Sequence, residues 1–307
     1  MEKRDRVREL IAIKERMGYP GSFYRDDLTR LKIALDNSNG DELFASLLPA
    51  RVVTLIEVLC RFWVQTLINH GTPYDERALD LKIDVKYDLP MLRSVHGGTI
   101  SLGFLLAHSV KLSSIEAIAH VFTALLAYDF YPWLSKARDR MSIEHDGESA
   151  APIIEDLDKT KRLLKRAFEV RHILVHEYPE NLPFSIDEIS EMIVAAERFL
   201  NAVDEGLTQL LHGLYPINQH DMNEFARKEY TVAEAELAHV IAEVSKEDGD
   251  DTILKVQEAW HAFAKAEAER IAKDWIGGSG HPLIYYSALK RLTSDRVRQL
   301  RGDGDTR

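Results

Sequence analysis

Apolar residues recur at intervals of three and four along most of this chain, which is the spacing of one face of an α-helix. The clearest example begins at a capping box, Ser185-x-x-Glu188, and continues to Leu207. The segment from about Pro49 to His70 is apolar on nearly all sides, which predicts a central core helix. The same spacing predicts helices over residues 4–17, 26–37, 101–111, 114–140 (broken or kinked at Pro132), 156–176, 219–245, 252–275 and a last region ending near Arg301. We therefore expect an all-α protein.

One stretch departs from the helical pattern. Residues 79–89 alternate apolar and charged side chains without a break, which is typical of a strand with one buried face. A lone strand needs a partner, and the nearest candidate is the short stretch from Thr99 to Leu102. The sequence thus predicts at most a small β-hairpin inserted between helices.

The chain changes character after Gly213 and Pro216, where mixed apolar helices give way to Ala/Glu-rich ones. A chain of 307 residues is long enough to build two cores. We expect a helical bundle with an N-terminal helical collar over residues 1–215 and a three-helix hairpin domain over residues 216–307.

The composition, 45% hydrophobic and 29% charged, is that of a soluble globular protein. The net charge of −11 argues against a general nucleic-acid coat, although it leaves room for a local RNA site. Glu57 and Arg61 interrupt the most apolar segment, so no membrane span is expected. The N-terminus lacks the apolar core of a signal peptide, and the single cysteine, Cys60, excludes a disulfide within this sequence. A cytoplasmic protein is expected.

Reactive groups concentrate in one run, Arg171-His172-Ile173-Leu174-Val175-His176. On an ideal helix Arg171 lies in the middle of the apolar side, where an unpaired guanidinium is costly to bury. It therefore needs a carboxylate, a backbone carbonyl, a partner chain or a bound anion. Glu57 is one candidate for that carboxylate and would then orient Arg171. The alternative is that Glu57 pairs locally with Arg61, one helical turn away.

A basic segment leads into this run, with six basic residues and one acidic residue between Lys159 and Arg171. Such a segment is usually a solvated helix face. Its position directly before the arginine and histidines favours phosphate binding instead, with RNA contacts expected from Lys161, Arg162 and Lys165.

Arg171, followed at once by a polar residue and separated from His176 by four residues, resembles the Arg-polar-x-x-x-His signature of HEPN domains. The neighbouring helices extend this resemblance over roughly residues 45–213. HEPN ribonucleases are small all-α domains that usually act as dimers and cut RNA without a metal. The resemblance implies a metal-independent endoribonuclease, toxin-like or defence-related, that forms a homodimer and needs no cofactor. It makes Arg171 and His176 catalytic, with His172 and Glu57 in support.

The chemistry of the side chains suits this reaction. Histidine has a pKa fitted to moving the proton of the 2′-hydroxyl or of the leaving oxygen, and arginine stabilises charge on the phosphorane. On one helix Arg171 and His176 point about 140° apart, so two copies across a two-fold axis would bring them together better. The alternative is that His176 only caps the helix. His172 and His176 also have the spacing of metal ligands, but no third ligand is evident and no metal is expected.

Motifs spread along the C-terminal segment carry a second resemblance, to the LprI-like lysozyme-inhibitor domain. In chain order they are Met222-Asn223, the segment Tyr230 to Leu237, Gln257-x-x-Trp260-x-x-Phe263, Gly277-Gly278-Ser279 and Leu292-Thr293-x-x-Arg296-x-x-x-Leu300. This resemblance implies a protein partner bound through residues 216–307.

The C-terminal segment departs from that family at its cysteines. Periplasmic members usually pin their helices with disulfides, whereas the expected positions here hold Phe225, Ala268 and Ala288. This fits a reducing compartment and puts lysozyme binding in doubt. Trp260 and Phe263 are then expected to be core anchors rather than contacts to a partner.

Two functions other than RNA cleavage stay open. The HEPN-like part could bind RNA or protein without cutting, while the C-terminal domain recruits a partner. Alternatively, the C-terminal domain binds a lysozyme-like hydrolase.

Overall fold

The structure is a computed structural model that describes residues 6–17, 20–38, 40–81, 83, 88–177, 184–214, 216, 218–248 and 252–301. Its α-helices are α1 (Arg6–Arg16), α2 (Pro20–Asp36), α3 (Glu42–His70), α4 (Tyr74–Arg77), α5 (Leu89–His96), α6 (Leu102–Ala107), α7 (Ile115–Leu126), α8 (Phe130–Leu134), α9 (Arg140–Asp146), α10 (Leu157–His176), α11 (Ile186–His212), α12 (Gln219–Asp248), α13 (Thr252–Ala272) and α14 (His281–Arg301). Short 3-10 turns cover Ala78–Asp80, Gly147–Ser149 and Lys273–Trp275. The predicted all-α fold is confirmed, since the described residues contain no strand.

The chain divides into two compact units, Met1–Gly213 with helices α1 to α11 and Leu214–Arg307 with helices α12 to α14. Each unit has its own buried clusters of apolar side chains. We call them unit 1 and unit 2.

Helix α3 forms the centre of unit 1, as its all-round apolar sequence predicts. Helices α2, α6, α10 and α11 all pack against it. Cys60 on α3 is fully buried, and burial raises the pKa of its thiol, so little reactive thiolate forms.

The helix α6 crosses α3 at Gly103, where the two backbones come very close. A Cβ atom at this position would lie 2.5 Å from the backbone oxygen of Gln65, so only glycine fits without movement. The Gly103 amide donates to the side-chain oxygen of Asn69 at 3.0 Å, which fixes the crossing point. On the far side of α6, Val7 and Leu10 of α1 join a second buried cluster.

A buried polar network attaches α2 to α3 and α11. The hydroxyl of Tyr24 donates to the side-chain oxygen of Asn201 at 3.0 Å and approaches Asp204 at 3.2 Å. The indole N–H of Trp63 donates to the other carboxylate oxygen of Asp204 at 3.1 Å. Arg25 donates to the Tyr24 hydroxyl at 3.0 Å. Asp204 of α11 thus accepts from Trp63 of α3 and lies within hydrogen-bond distance of the Tyr24 hydroxyl of α2.

The predicted helix over residues 114–140 is interrupted at Ala127 and not at Pro132. Ala127 adopts a left-handed conformation with φ of 57°, which ends α7, and Pro132 lies inside α8. The backbone N–H of Phe130 then donates to the hydroxyl of Thr123 at 3.1 Å. Arg77 donates to the carbonyls of Leu125 and Leu126, which would otherwise lack partners at the helix end.

The predicted β-hairpin is wrong for the residues that the structure describes. Residues 79 and 80 belong to a 3-10 turn, and Leu102 begins α6 instead of ending a strand. The alternation still directs Leu81 and Ile83 toward the core of unit 1. Residues 82 and 84–87 of the predicted strand lie outside the described part of the chain.

Unit 2 consists of α12, α13 and α14, and α14 packs against both other helices. One buried cluster contains Ala264, Ala268, Ala288 and Leu289. A second contains Leu237, Val240 and Val297, and the side chain of Trp260 packs against both.

Candidate functional site

The run of arginine and histidines lies at the C-terminal end of α10. The carboxylate of Asp156 accepts from the backbone N–H of Lys159 and begins this helix, which continues without interruption through His176. Because the helix does not end between Arg171 and His176, the two side chains keep the divergent directions that helix geometry gives them.

A groove of about 580 Å³ lies between the second half of α10 and the start of α7. We call it the α7–α10 groove. Its lining includes three cationic or titratable side chains, Lys165, Arg171 and His172, and two carboxylates, Glu116 and Glu169. Ser113, Ser114, Ile115, Phe168 and Ile173 complete the lining.

The start of α7 adds polar groups to this groove. The hydroxyl of Ser114 accepts from the backbone N–H of Ala117 at 3.1 Å and caps the helix. The first backbone N–H groups of a helix have no partner within it, and they attract negative charge. The α7–α10 groove thus combines basic side chains with the positive end of a helix.

Arg171 is half-buried and, among the described residues, makes no hydrogen bond or ion pair. In particular, it does not pair with Glu57, so the predicted orienting role of that carboxylate is not seen. Glu57 acts electrostatically on Arg61, one turn away. Arg61 itself donates to the carbonyl of Ala107 at 2.6 Å. Arg61 is thus held by a backbone carbonyl, with Glu57 as a neighbouring charge one helical turn away.

The two histidines are both exposed, and their rings are in contact, with centroids 4.8 Å apart. His172 lines the α7–α10 groove, whereas His176 does not. Within one chain the structure thus brings Arg171 together with His172 and leaves His176 outside. In the described part of the chain, no group of three or more His, Cys, Asp or Glu side chains is placed to hold a metal ion.

The three side chains of α10 that were predicted to contact RNA have different surroundings. Lys161 lies over the ring of Tyr131, 4.5 Å from its centroid, and forms an ion pair with Asp158 at 3.8 Å. Lys165 lines the α7–α10 groove, and Arg162 is exposed. Of the three predicted RNA contacts, Lys165 is the one that the structure places with Arg171.

Sequence reasoning missed a cluster at the end of α6, where two arginines approach His108. The carbonyls of Ala107 and His108 accept from Arg61 and Arg6, the latter at 2.9 Å. The Nε2 atom of His108 is buried and has no hydrogen-bond partner, and the ring packs on Phe104. Burial and the charges of Arg61 and Arg6 lower the pKa of His108 from 6.5 to about 4.

We expect this histidine to make the stability of the protein depend on pH. The unfolded chain takes up a proton below pH 6.5, whereas the folded one does so only near pH 4, so stability falls as the pH drops through this window. The loss should be about 1–2 kcal/mol, less than the shift alone would give, because the ring is partly exposed. Urea unfolding of wild type and His108→Gln at pH 7 and pH 5 measures it. Equal pH slopes for the two proteins would contradict this account.

In unit 2, the turn between α13 and α14 presents two adjacent apolar side chains to solvent. Trp275 is 52% exposed and Ile276 is 74% exposed. We call this turn, residues 273–280, the apical turn. Sequence reasoning missed both side chains, although the run Gly277-Gly278-Ser279 that follows them marks a turn.

The backbone of the apical turn is held in place by Asn223 of α12. The Asn223 side chain donates to the carbonyl of Ser279 at 2.9 Å and accepts from the N–H of Leu283 at 3.1 Å. The N–H of Gly278 donates to the carbonyl of Trp275 at 2.9 Å. A Cβ atom on Gly280 would lie 3.2 Å from the Trp275 ring, so the turn packs closely on itself. Trp275 and Ile276 are therefore exposed on a fixed support.

The structure separates the two aromatic residues predicted to be core anchors. Trp260 packs against both clusters of unit 2, as predicted. Phe263 is 56% exposed, so its prediction was wrong. The cause is the helical spacing, since positions 260 and 263 are about 60° apart and α14 covers only one of them. Ala268 and Ala288, which stand where cysteines were expected, lie in one buried cluster.

Comparison with known proteins finds a likeness in unit 2. Residues 216–300 match the family model described as "Lysozyme inhibitor LprI". This match covers less than a third of the chain. No curated protein and no solved structure matches the chain. No helix in the described ranges is long and apolar enough to cross a membrane.

Proposed function

We propose that this protein binds another protein through unit 2, and that the partner is a hydrolase of the lysozyme type. The observation that carries this proposal is the match of residues 216–300 to the lysozyme-inhibitor family model. Unit 2 also offers a surface suited to such a role, because an aromatic and an aliphatic side chain stand exposed on the apical turn.

The apical turn has the features of a binding protrusion. Exposed tryptophan is the side chain most enriched at the energetic centre of protein interfaces, and a support that is already ordered lowers the entropy lost on binding. Lys273 and Asp274, which directly precede the exposed pair, carry opposite charges, so the contact rests on the apolar side chains. We therefore assign the contact to Trp275 and Ile276.

The proposed compartment is the cytoplasm. Unit 2 has no cysteine and is held together by apolar packing, so it does not need an oxidising environment. The partner would then be a lysozyme-like hydrolase present in the same compartment.

Substitutions on the apical turn test this contact. Trp275→Ala should weaken, by about 10- to 30-fold, the binding to a lysozyme-type hydrolase that the wild type inhibits, because the aromatic anchor is lost. Val232→Ala, at a position on α12 that is 67% exposed, is the matched control and should bind like wild type. Calorimetric titration of the hydrolase with the full chain measures the affinity of each variant. Equal affinities for Trp275→Ala and wild type would remove the apical turn from the interface.

A second function, metal-independent RNA cleavage of the HEPN type, is proposed for unit 1. The observation that favours it is the α7–α10 groove, in which Arg171 stands beside Lys165 and His172. Arg171 would stabilise the charge on the phosphorane and His172 would help to hold the phosphate. His176 would move the proton as general acid or base.

This second function requires a homodimer. Because His176 does not line the groove of its own chain, a second copy must bring its His176 to a phosphate held by Arg171. The test is incubation of the full chain with RNA in the presence of EDTA, followed by analysis of the product ends. Fragments with 2′,3′-cyclic phosphate ends support cleavage. Binding without cleavage supports the non-catalytic RNA- or protein-binding module.

A further inference from the structure

Helix α13 carries a second row of apolar side chains that the described residues of unit 2 leave exposed. Val256, Ala259, Phe263 and Ala266 are all exposed and are spaced by three, four and three residues. Another side of the helix, with Ala264, Ala268 and Ala272, is buried in unit 2. We call the exposed row the outer seam of α13. Apolar residues with this spacing form the contact line of paired helices.

We propose that the outer seam is a self-association surface, on which α13 of a second copy of this chain packs in antiparallel orientation. The sizes of the side chains support this occupant. The pairs Phe263/Ala259 and Val256/Ala266 are both centred on position 261, so one antiparallel register sets each large side chain against a small one. A parallel pairing would set Phe263 against itself and leave Ala259 facing Ala259.

Charges beside the seam favour the same orientation. Lys255, Ala262 and Glu269 are seven residues apart and therefore line one flank of the outer seam. In the antiparallel register this flank packs against the same flank of the second copy. Lys255 of each chain then faces Glu269 of the other chain, which gives two such pairs related by the two-fold axis. Both side chains are exposed, and within the described part of the chain neither forms an ion pair. Exposed pairs of this kind contribute little strength, but they select orientation.

The α13 dimer uses a surface separate from the hydrolase contact and from helix α10. The outer seam lies on the body of α13, whereas the hydrolase contact is assigned to the apical turn. The RNA site uses α10 in unit 1. Each surface can therefore be altered without touching the other two.

Sedimentation velocity of the full chain at increasing concentration tests the proposal. Wild type should shift from monomer to dimer, and Phe263→Glu should raise the dissociation constant at least about 10-fold, because a charge replaces the largest seam side chain. Val232→Glu, on the exposed side of α12, is the control and should leave the equilibrium unchanged. A wild type that stays monomeric throughout overturns the proposal. So does a dimer that Phe263→Glu leaves intact, which would assign self-association to another surface such as α10.

A charge exchange tests the orientation. Lys255→Glu and Glu269→Lys should each weaken the dimer, and the double variant should restore it, because the two charges then meet again with reversed signs. Ala262→Cys should form a disulfide-linked dimer under mild oxidation, since position 262 faces itself near the axis, whereas the exposed control Ala235→Cys should not. The native Cys60 is buried and does not compete. No rescue and no crosslink at position 262 would exclude the antiparallel register.

Discussion

Replacing Asp204 by alanine is expected to lower the free energy of unfolding of unit 1 by about 2–4 kcal/mol. The carboxylate accepts from the indole N–H of Trp63 at 3.1 Å and lies 3.2 Å from the hydroxyl of Tyr24. Both donors are buried, so removing the acceptor leaves the indole N–H without a partner and weakens the attachment of α2 to α3 and α11. Tyr24 keeps its bond to Asn201, which limits the loss.

Urea denaturation followed by circular dichroism measures this loss. Asp204→Asn keeps an acceptor oxygen and should lose less than Asp204→Ala. Asp26→Ala, an exposed acid on α2 with no partner among the described residues, is the control and should change stability by less than about 0.5 kcal/mol. If Asp204→Ala is no less stable than this control, the network does not hold α2 in place.

Replacing Arg171 by alanine is expected to slow RNA cleavage about 10²- to 10³-fold if unit 1 is a nuclease. The reason is that, among the described residues, no other guanidinium lines the α7–α10 groove to neutralise the phosphorane. Arg171→Lys should recover only part of the rate, because an ammonium cannot bind the phosphate through two parallel donors. The rate of appearance of cyclic-phosphate ends, with EDTA present, is the measurement.

Arg198→Ala provides the control for this substitution. Arg198 lies on α11 and forms an ion pair with Glu155 at 3.5 Å, away from the α7–α10 groove. Its loss should leave the cleavage rate unchanged. A wild type that cuts no RNA, or an Arg171→Ala variant as active as wild type, would contradict the nuclease proposal and leave unit 1 as a binding module.

The helices could be predicted well from the sequence where one face is buried and the ends are chemically marked. Helix α11 begins directly after Ser185, whose hydroxyl accepts from the backbone N–H of Glu188 at 3.1 Å, as the capping box predicts. The prediction from periodicity was wrong where a segment has no neighbouring strand to pair with. The alternating residues 79–89 form no ladder in their described part, because a strand also needs an adjacent strand and the rest of the described chain provides none.

The break at Ala127 was missed for a different reason. Pro132 is a strong signal in sequence, but proline is tolerated in the first turn of a helix, which is where α8 holds it. The left-handed conformation of Ala127 is stabilised by groups distant in sequence, including Arg77, which caps the carbonyls beside it. Such contacts cannot be inferred from the residues next to Ala127 in the sequence.

The candidate sites could be predicted only in part. Helical spacing determines on which side of a helix a side chain lies, but it does not determine which other element packs against that side. The spacing placed Arg171 on the apolar side of α10, but the α7–α10 groove also depends on Ser114, 57 residues earlier in the chain. The exposure of Phe263 and Trp275 depends in the same way on which sides of α13 and the apical turn are left uncovered by α14.

The most direct test of the central claim is the effect of the full chain on peptidoglycan cleavage by a panel of lysozyme-type hydrolases. We predict that at least one enzyme is inhibited with one-to-one stoichiometry, and that Trp275→Ala relieves this inhibition while Val232→Ala does not. An undiminished rate for every enzyme at saturating protein, together with no heat of binding, would contradict the proposal that unit 2 binds a hydrolase of this type.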